Sequence, residues 1–139
     1  MPQPLLLGHR GARHYAPENT FAAFDLALTH GCDGFEFDVR MSADQQPIIV
    51  HDPRLEDVVI ADSAAERLFA LDNAIPRMAQ VFQRYADSAY LNVELKVVGL
   101  EARVTELLET YPPRKGLLVS SFLPECLRAM HDQIGRAHV

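Results

Sequence analysis

Residues 35–52 read FEFDVRMSADQQPIIVHD and combine two strand patterns in a short length of chain. Apolar and charged side chains alternate over 35–41, which predicts a strand because successive side chains of a strand point to opposite faces. After a short polar turn, the apolar run at 47–50 predicts a second strand. Glu36 and Asp38 lie two residues apart on the first strand, so their carboxylates point to the same side of it.

Short apolar runs and amphipathic stretches alternate along the rest of the chain. The apolar residues of the amphipathic stretches recur at spacings of three and four, which is typical of helices with one buried face. Strands are predicted at 5–7, 90–95 and 116–121, and helices at 20–30, 64–71, 100–111 and 124–134, with a further helix that begins at Pro76. Alternating strands and helices predict a parallel sheet covered by helices. No linker or repeat divides the sequence, so residues 1–139 are predicted to form a single α/β domain.

The composition is that of a globular protein and excludes several classes of function. Hydrophobic residues make up 48% of the chain and charged residues 23%, which is ordinary for a globular domain. A formal net charge of -6 argues against nucleic-acid binding, which relies on clustered Lys and Arg. The two cysteines, Cys32 and Cys126, have no metal-type spacing, so we expect reduced thiols. Neither a basic leader nor a run of about 20 apolar residues occurs, and we expect a cytoplasmic protein without a membrane span.

Polar side chains occur where each of the five predicted strands ends. In parallel α/β folds the carboxyl ends of the strands form the ligand-binding edge, and in barrels they carry the active site. In chain order these residues are His9 and Arg10, Glu36 and Asp38, His51 and Asp52, Glu94 and Lys96, and Ser120 and Ser121. Five strands that place polar groups at one end predict a functional site there.

Three of these residues, Glu36, Asp38 and Glu94, supply carboxylates without any thiolate. Such a set suits a hard divalent cation, Mg²⁺ or Ca²⁺, better than zinc. The alternative is that Glu36 and Asp38 are solvent-facing residues of a half-exposed strand. A sheet covered by helices disfavours that alternative because an unpaired buried carboxylate is costly.

Two histidines and two cations complete the candidate site. His9 and His51 each follow an apolar strand, and imidazole titrates close enough to neutral pH for the pair to act as general acid and general base. Arg10 and Lys96 supply the positive charge that a phosphate diester requires. The alternatives are that each histidine is satisfied by backbone hydrogen bonds and that Lys96 pairs with Glu94; Ser120, Ser121 and Asn19 are interpreted as structural.

The motifs, taken in order, are GHRG at 8–11, PENT at 17–20, EFD at 36–38, HD at 51–52 and ELK at 94–96. Together they resemble the glycerophosphodiester phosphodiesterase family of the phospholipase-C-like phosphodiesterase superfamily. The closely spaced HRG and PENT motifs are specific, and the resemblance extends over nearly the whole chain.

The resemblance implies a fold, a reaction and a role for each residue. The fold is a (β/α)₈ barrel, of which this chain would form the N-terminal part, with about five βα units. The reaction is the hydrolysis of a small-molecule glycerophosphodiester to sn-glycerol 3-phosphate and an alcohol. By resemblance, Glu36, Asp38 and Glu94 bind the cation, His9 and His51 are the acid–base pair, and Arg10 and Lys96 bind the phosphate. Which histidine is the acid stays open.

The chain departs from the family pattern in length and in one segment. Such barrels have about 250 residues, so the C-terminal strands are expected to be missing and the open sheet edges to promote self-association or aggregation. Residues 53–73 lack the Thr- and Gly-rich composition of the corresponding family segment, which leaves substrate selection open. The alternatives are a catalytically incompetent fragment that keeps the motif, a phosphate- or metal-binding module without turnover, and a lysophospholipid phosphodiesterase.

Overall fold

The computed structural model describes residues 3–137 and, of residues 135–137, only the backbone. Helices separate its parallel strands along the chain, as the sequence predicts. The strands are β1 (Leu7–His9), β2 (Gly34–Met41), β3 (Pro47–Ile49), β4 (Arg54–Leu55), β5 (Val58–Val59), β6 (Tyr90–Leu95) and β7 (Leu117–Ser120). The helices are α1 (Phe21–Thr29), α2 (Ala65–Leu71), α3 (Met78–Tyr85), α4 (Glu101–Thr110) and α5 (Pro124–Ala137), with a 3₁₀ turn at Ile60–Asp62.

The main sheet has five strands: four are parallel, in the order β1-β2-β6-β7, and β3 pairs with β2. Consecutive parallel strands are joined through helices, which is the connection that a parallel sheet requires. Gly34 begins β2 where the neighbouring strand comes very close, since a Cβ atom there would lie 1.7 Å from the Tyr90 carbonyl oxygen. The α/β prediction is confirmed.

The strand predicted at 47–50 exists as β3, but it runs antiparallel to β2. The sequence predicts this strand as part of about five βα units, whereas four parallel strands are present in the described residues. The physical reason is the length of the connection. Only five residues, 42–46, join β2 to β3, whereas a crossover between parallel strands needs a dozen or more.

The main core lies between the sheet and its helices and is rich in aromatic side chains. Phe35 and Phe37 point from β2 toward α1, where Phe24 stacks on Phe35 with a centroid separation of 4.2 Å. Phe24, Phe35 and Phe37 are completely buried. At about 25 cal/mol per Å² of apolar surface, burial of each such side chain stabilises the fold by about 2 kcal/mol. This packing holds β2 in the register that turns Glu36 and Asp38 to the opposite face.

A small subdomain lies between β3 and α3. The β4–β5 hairpin, the 3₁₀ turn and α2 enclose a second apolar cluster. Its fully buried members are Ile48, Ile60 and Leu68, and Ile75 lies beside them. Strands of two residues have no periodicity to detect, which explains why the sequence predicts only α2 in this segment.

Local signals set the helix starts. The Thr20 hydroxyl accepts a hydrogen bond from the Ala23 N–H at 3.2 Å and caps α1. Pro76 lies two residues before the first residue of α3 rather than within its first turn, and Arg77 occupies the cap position. Within the described residues, no helix has the length and apolar character needed to cross a membrane.

Both outer strands of the described sheet pair on one side only. Beside β7, an open cleft of about 440 Å³ is lined by side chains of β7 and α5. Three of its apolar side chains are exposed: Leu118 by 47%, Leu127 by 42% and Ile134 by 36%. The prediction of open sheet edges is thereby supported, because the outer edge of β7 is unpaired among the described residues and exposed apolar side chains lie beside it.

Candidate active site

The carboxylates meet at the edge of the sheet where β1, β2 and β6 end. Asp38 on β2 is paired in register with Glu94 on β6, and Glu36 is paired with His9 at the end of β1. One carboxylate oxygen from each of Glu36, Asp38 and Glu94 lies within 4.8 Å of the other two. The structure therefore brings together the three residues that the sequence predicts as metal ligands.

Asp38 is the central carboxylate and is completely buried. Asn19 holds it from two sides: its Nδ2 donates to Oδ2 at 3.0 Å, and its Oδ1 accepts from the Asp38 N–H at 3.4 Å. Asn19 has φ of 56°, a left-handed conformation that asparagine tolerates better than most residues. The other oxygen, Oδ1, has no hydrogen-bond partner among the described residues. It lies 3.7 Å from Lys96 Nζ.

The protonation of the three carboxylates is interdependent. Burial, followed by the charge of Asp38, raises the pKa of Glu36 to about 8, although the Arg10 N–H donates to its Oε1 at 3.1 Å. The neighbouring Asp38 carboxylate, followed by burial, raises the pKa of Glu94. Burial would raise the pKa of Asp38, but its polar contacts with Glu94, Asn19 and Glu36 outweigh burial and the pKa is lowered. Without a cation, Glu36 keeps its proton at neutral pH.

This arrangement fits a hard divalent cation. All three donors are oxygens, which Mg²⁺ and Ca²⁺ prefer. The buried Asp38 Oδ1 lacks a hydrogen bond, and such a group is costly unless something binds it. A bound cation would satisfy that oxygen and would also displace the proton of Glu36.

The two histidines lie at this edge with different partners. His9 Nε2 is 3.7 Å from Glu36 Oε1, and its Nδ1 is 3.4 Å from Arg13 Nη1. Burial, then the charges of Arg10 and Arg13, lower the pKa of His9. His51 Nδ1 is 2.7 Å from Asp52 Oδ1. Because the carboxylate accepts this hydrogen bond, the free nitrogen of His51 is Nε2.

The two predicted phosphate ligands are already paired with carboxylates. Arg10 Nη1 donates to Glu18 Oε1 at 3.1 Å, and its Nε lies 3.4 Å from Asp38 Oδ2 without forming a hydrogen bond. Lys96 Nζ is 3.0 Å from Glu94 Oε2. The predicted alternative pairing of Lys96 with Glu94 is thus present at the carboxylate cluster that would bind the cation.

Other polar residues near the edge have structural partners. Ser120 donates to Asn92 Oδ1 at 3.1 Å, and Ser121 donates to the Leu95 carbonyl oxygen at 2.6 Å. Both agree with their structural interpretation. Arg40 was not predicted as a site residue, yet its Nε donates to the His51 carbonyl oxygen at 2.8 Å. The sequence alone indicates that Arg40 faces the site, because it lies two residues from Asp38 and four from Glu36 on the same strand.

Comparison with known proteins identifies the family of this chain. The sequence model of the glycerophosphoryl diester phosphodiesterase family matches residues 9–110. The chain belongs to this family. The matched segment includes every predicted site residue, from the end of β1 to the strand that carries Glu94.

Three members illustrate the likeness. The chain is 29% identical to a glycerophosphodiester phosphodiesterase of Caldanaerobacter subterraneus subsp. tengcongensis, over 94% of this chain and 65% of that protein. The crystal structure of a glycerophosphodiester phosphodiesterase from Agrobacterium tumefaciens str. C58 superposes with a TM-score of 0.87 at 27% identity, over 96% of this chain and 64% of that one. A phosphodiesterase of Oleispira antarctica, solved in complex with the product sn-glycerol 3-phosphate, superposes with a TM-score of 0.79 at 30% identity, over 95% and 63%.

The chain spans less than two thirds of each of these three proteins. The prediction of a partial barrel is therefore confirmed: this chain superposes on part of each of the two longer crystal structures. The roles of individual residues stay predictions.

Proposed function

We propose that this chain supplies the metal-binding and catalytic part of a phosphoric diester hydrolase. The enzyme would cleave glycerophosphodiesters to sn-glycerol 3-phosphate and an alcohol, a reaction of glycerophospholipid metabolism. The observation that carries the proposal is the buried Asp38 oxygen without a hydrogen bond, which is clustered with the carboxylates of Glu36 and Glu94. His9 Nε2 lies 3.7 Å from Glu36 in that cluster. The product complex of the Oleispira antarctica relative supports the substrate class.

The cation of this enzyme would be Mg²⁺ or Ca²⁺, held by Glu36, Asp38 and Glu94. When bound, such a cation polarises a phosphoryl oxygen and favours ionisation of the attacking hydroxyl. Asn19 keeps Asp38 in place through its two hydrogen bonds. Arg10 and Lys96 neutralise the charge of the phosphate from the same edge of the sheet.

The partners of the histidines favour a division of roles. The lowered pKa of His9 keeps its ring neutral at pH 7, so His9 is proposed as the base that takes a proton from the attacking hydroxyl. Asp52 accepts the hydrogen bond from His51 Nδ1, which leaves Nε2 as the nitrogen available for proton transfer. His51 is proposed as the acid that donates a proton from Nε2 to the leaving alcohol.

Leaving-group chemistry tests this division. Hydrolysis of a p-nitrophenyl ester releases p-nitrophenolate, a stable anion that needs no proton, whereas the oxygen of choline must be protonated as it leaves. His51→Ala is expected to lose much more activity on glycerophosphocholine than on the p-nitrophenyl ester of glycerol 3-phosphate, and His9→Ala to lose activity on both. The reverse pattern would exchange the two roles.

The main experiment is hydrolysis of glycerophosphocholine by the purified 139-residue chain, with Mg²⁺, with Ca²⁺ and with a chelator. Cation-dependent turnover is expected, and Glu36→Ala is expected to abolish it. Glu109→Ala is the matched control, because Glu109 is an exposed carboxylate on α4. Lysophosphatidylcholine, tested in parallel, separates the lysophospholipid alternative. A folded chain that binds the cation but turns over no substrate would contradict the proposal that these strands are catalytically sufficient.

The open edges favour association with a second copy of this chain. Each copy contributes four parallel strands, and a closed barrel of this type has eight. Leu118→Lys places a charge on the exposed edge strand and is expected to shift the chain toward monomer in light scattering after gel filtration. Leu71→Lys, at an exposed apolar residue of α2, is the control. A monomeric wild-type chain would refute self-association.

A further inference from the structure

Arg40 lies on the same side of β2 as the carboxylate cluster, two residues beyond Asp38 toward the end of the strand. Residues two apart on a strand share a face, and the step is about 7 Å. Asp38 therefore lies below Arg40 on that face. The Lys96 N–H donates to the Val39 carbonyl oxygen at 3.0 Å, so Arg40 stands where β6 ends. Arg40 therefore lies above the carboxylate cluster, with Lys96 on one side and His51 on the other.

One hydrogen bond fixes the guanidinium group of Arg40. Its Nε donates to the His51 carbonyl oxygen at 2.8 Å. Because the guanidinium is planar and rigid, this bond also sets the direction of the two Nη nitrogens. Neither Nη donates a hydrogen bond to a residue that the structure describes. The side chain is half-buried, so its charge lies at the edge of the site rather than free in solvent.

The other two basic side chains of the site differ from Arg40 because they are paired with carboxylates. Arg10 is paired with Glu18 and Asp38, and Lys96 with Glu94 and Asp38. Arg40 forms no ion pair with a carboxylate within the described part of the chain, although the guanidinium is always charged. Two adjacent free Nη groups match the spacing of two phosphate oxygens.

We propose that Arg40 binds the phosphate group of the substrate through its Nη nitrogens, while its Nε holds the backbone of His51. The inference rests on the proposed function and adds to it a third phosphate ligand. Arg40 would thereby connect His51, the proposed general acid, to the phosphate group of the substrate. Arg40 would bind the phosphate, and it would act on His51 only as a positioning residue.

Product binding tests the proposal without relying on turnover. The dissociation constant of sn-glycerol 3-phosphate is measured by titration calorimetry at saturating Mg²⁺, with wild type, Arg40→Gln and Arg40→Lys. A hydrogen bond to a charged group is worth about 1.5–3 kcal/mol, so Arg40→Gln is expected to weaken binding roughly tenfold to hundredfold. Arg40→Lys keeps the charge but loses the fork and is expected to fall in between. Arg67→Gln, at an exposed arginine of α2, is expected to bind like wild type.

Two further measurements separate phosphate binding from a structural effect. Mn²⁺ binding, followed by electron paramagnetic resonance, and the melting temperature are expected to stay close to wild type in Arg40→Lys. Unchanged affinity for sn-glycerol 3-phosphate in Arg40→Lys and in a folded Arg40→Gln would overturn the inference and leave the proposed hydrolase intact. A wild-type chain that binds Mn²⁺ but not sn-glycerol 3-phosphate would overturn both.

Discussion

Glu36→Gln is expected to remove a pH-dependent instability of the cation-free protein. The glutamine keeps the shape of the side chain but cannot ionise. In the wild type, burial and the neighbouring Asp38 raise the pKa of Glu36 from 4.5 to about 8. The folded state therefore holds a proton that the unfolded chain releases, and the stability linked to that proton is present below pH 4.5 and lost as the pH rises toward 8.

The size of the effect follows from the two pKa values. One pKa unit corresponds to about 1.4 kcal/mol, so the wild type is expected to lose about 3 kcal/mol by pH 7 and about 5 kcal/mol above pH 9 relative to Glu36→Gln. At pH 4.5 the two proteins are expected to differ little. Only 9% of Glu36 is exposed, so solvent screens this cost weakly.

Denaturant unfolding between pH 4.5 and 9.5, in the presence of a chelator, measures the difference. Groups far from Glu36 contribute equally to both curves, so subtracting one curve from the other isolates Glu36 together with the two carboxylates whose protonation depends on it. Glu109→Gln, at an exposed carboxylate of α4, is the matched control. Added Mg²⁺ is expected to reverse the order, because it stabilises the wild type and not Glu36→Gln. Wild-type and Glu36→Gln curves that run parallel over the whole range would refute the reasoning.

Two substitutions probe the supports of the site. Asn19→Ala is expected to cost about 2 kcal/mol of unfolding free energy and to weaken cation binding, because it removes both hydrogen bonds to Asp38 and places alanine at positive φ. Asn19→Gly relieves the backbone but does not restore the hydrogen bonds, so it should recover stability without recovering cation affinity. Recovery of both would argue against a role for the hydrogen bonds. Gly34→Ala is expected to cost about 3 kcal/mol or more by denaturant unfolding, because its Cβ would meet the Tyr90 carbonyl oxygen. Gly31→Ala, with open space around its Cβ and φ of 93°, should cost only about 1–2 kcal/mol, and equal costs at the two glycines would contradict the steric explanation.

The sequence predicts those parts of the molecule that depend on local patterns. The alternation over 35–41 places Phe35 and Phe37 in the core and Glu36 and Asp38 on the other face, as the structure shows. The strand predicted at 90–95 has the same limits in the structure. These predictions succeed because burial of one face imposes a period of two on each strand, and that period is readable from the residues alone.

Contacts between distant residues lie beyond such patterns. Asn19 reaches Asp38 across 19 positions of sequence, and its role depends on a left-handed backbone conformation that no periodicity predicts. The free Nη groups of Arg40 can be recognised only when the partners of Arg10 and Lys96 are known. The direction of β3 is a different case, since the five-residue connection already excluded a parallel crossover.

The polar groups at the site edge follow five strands, although only four of these strands are parallel. The β2–β3 hairpin explains this difference, because it brings the end of the antiparallel strand β3 to the same edge. The pairing of β2 with β6 ends at Val39, and β2 continues beyond it to Met41. Because β3 turns back antiparallel, its end returns to the level of the cluster, where the Val50 N–H donates to the Asp38 carbonyl oxygen at 3.0 Å. His51 follows at once and is held there by Arg40. A parallel strand would reach the same edge only after a separate crossover, so the hairpin places one histidine beside the carboxylates with few residues.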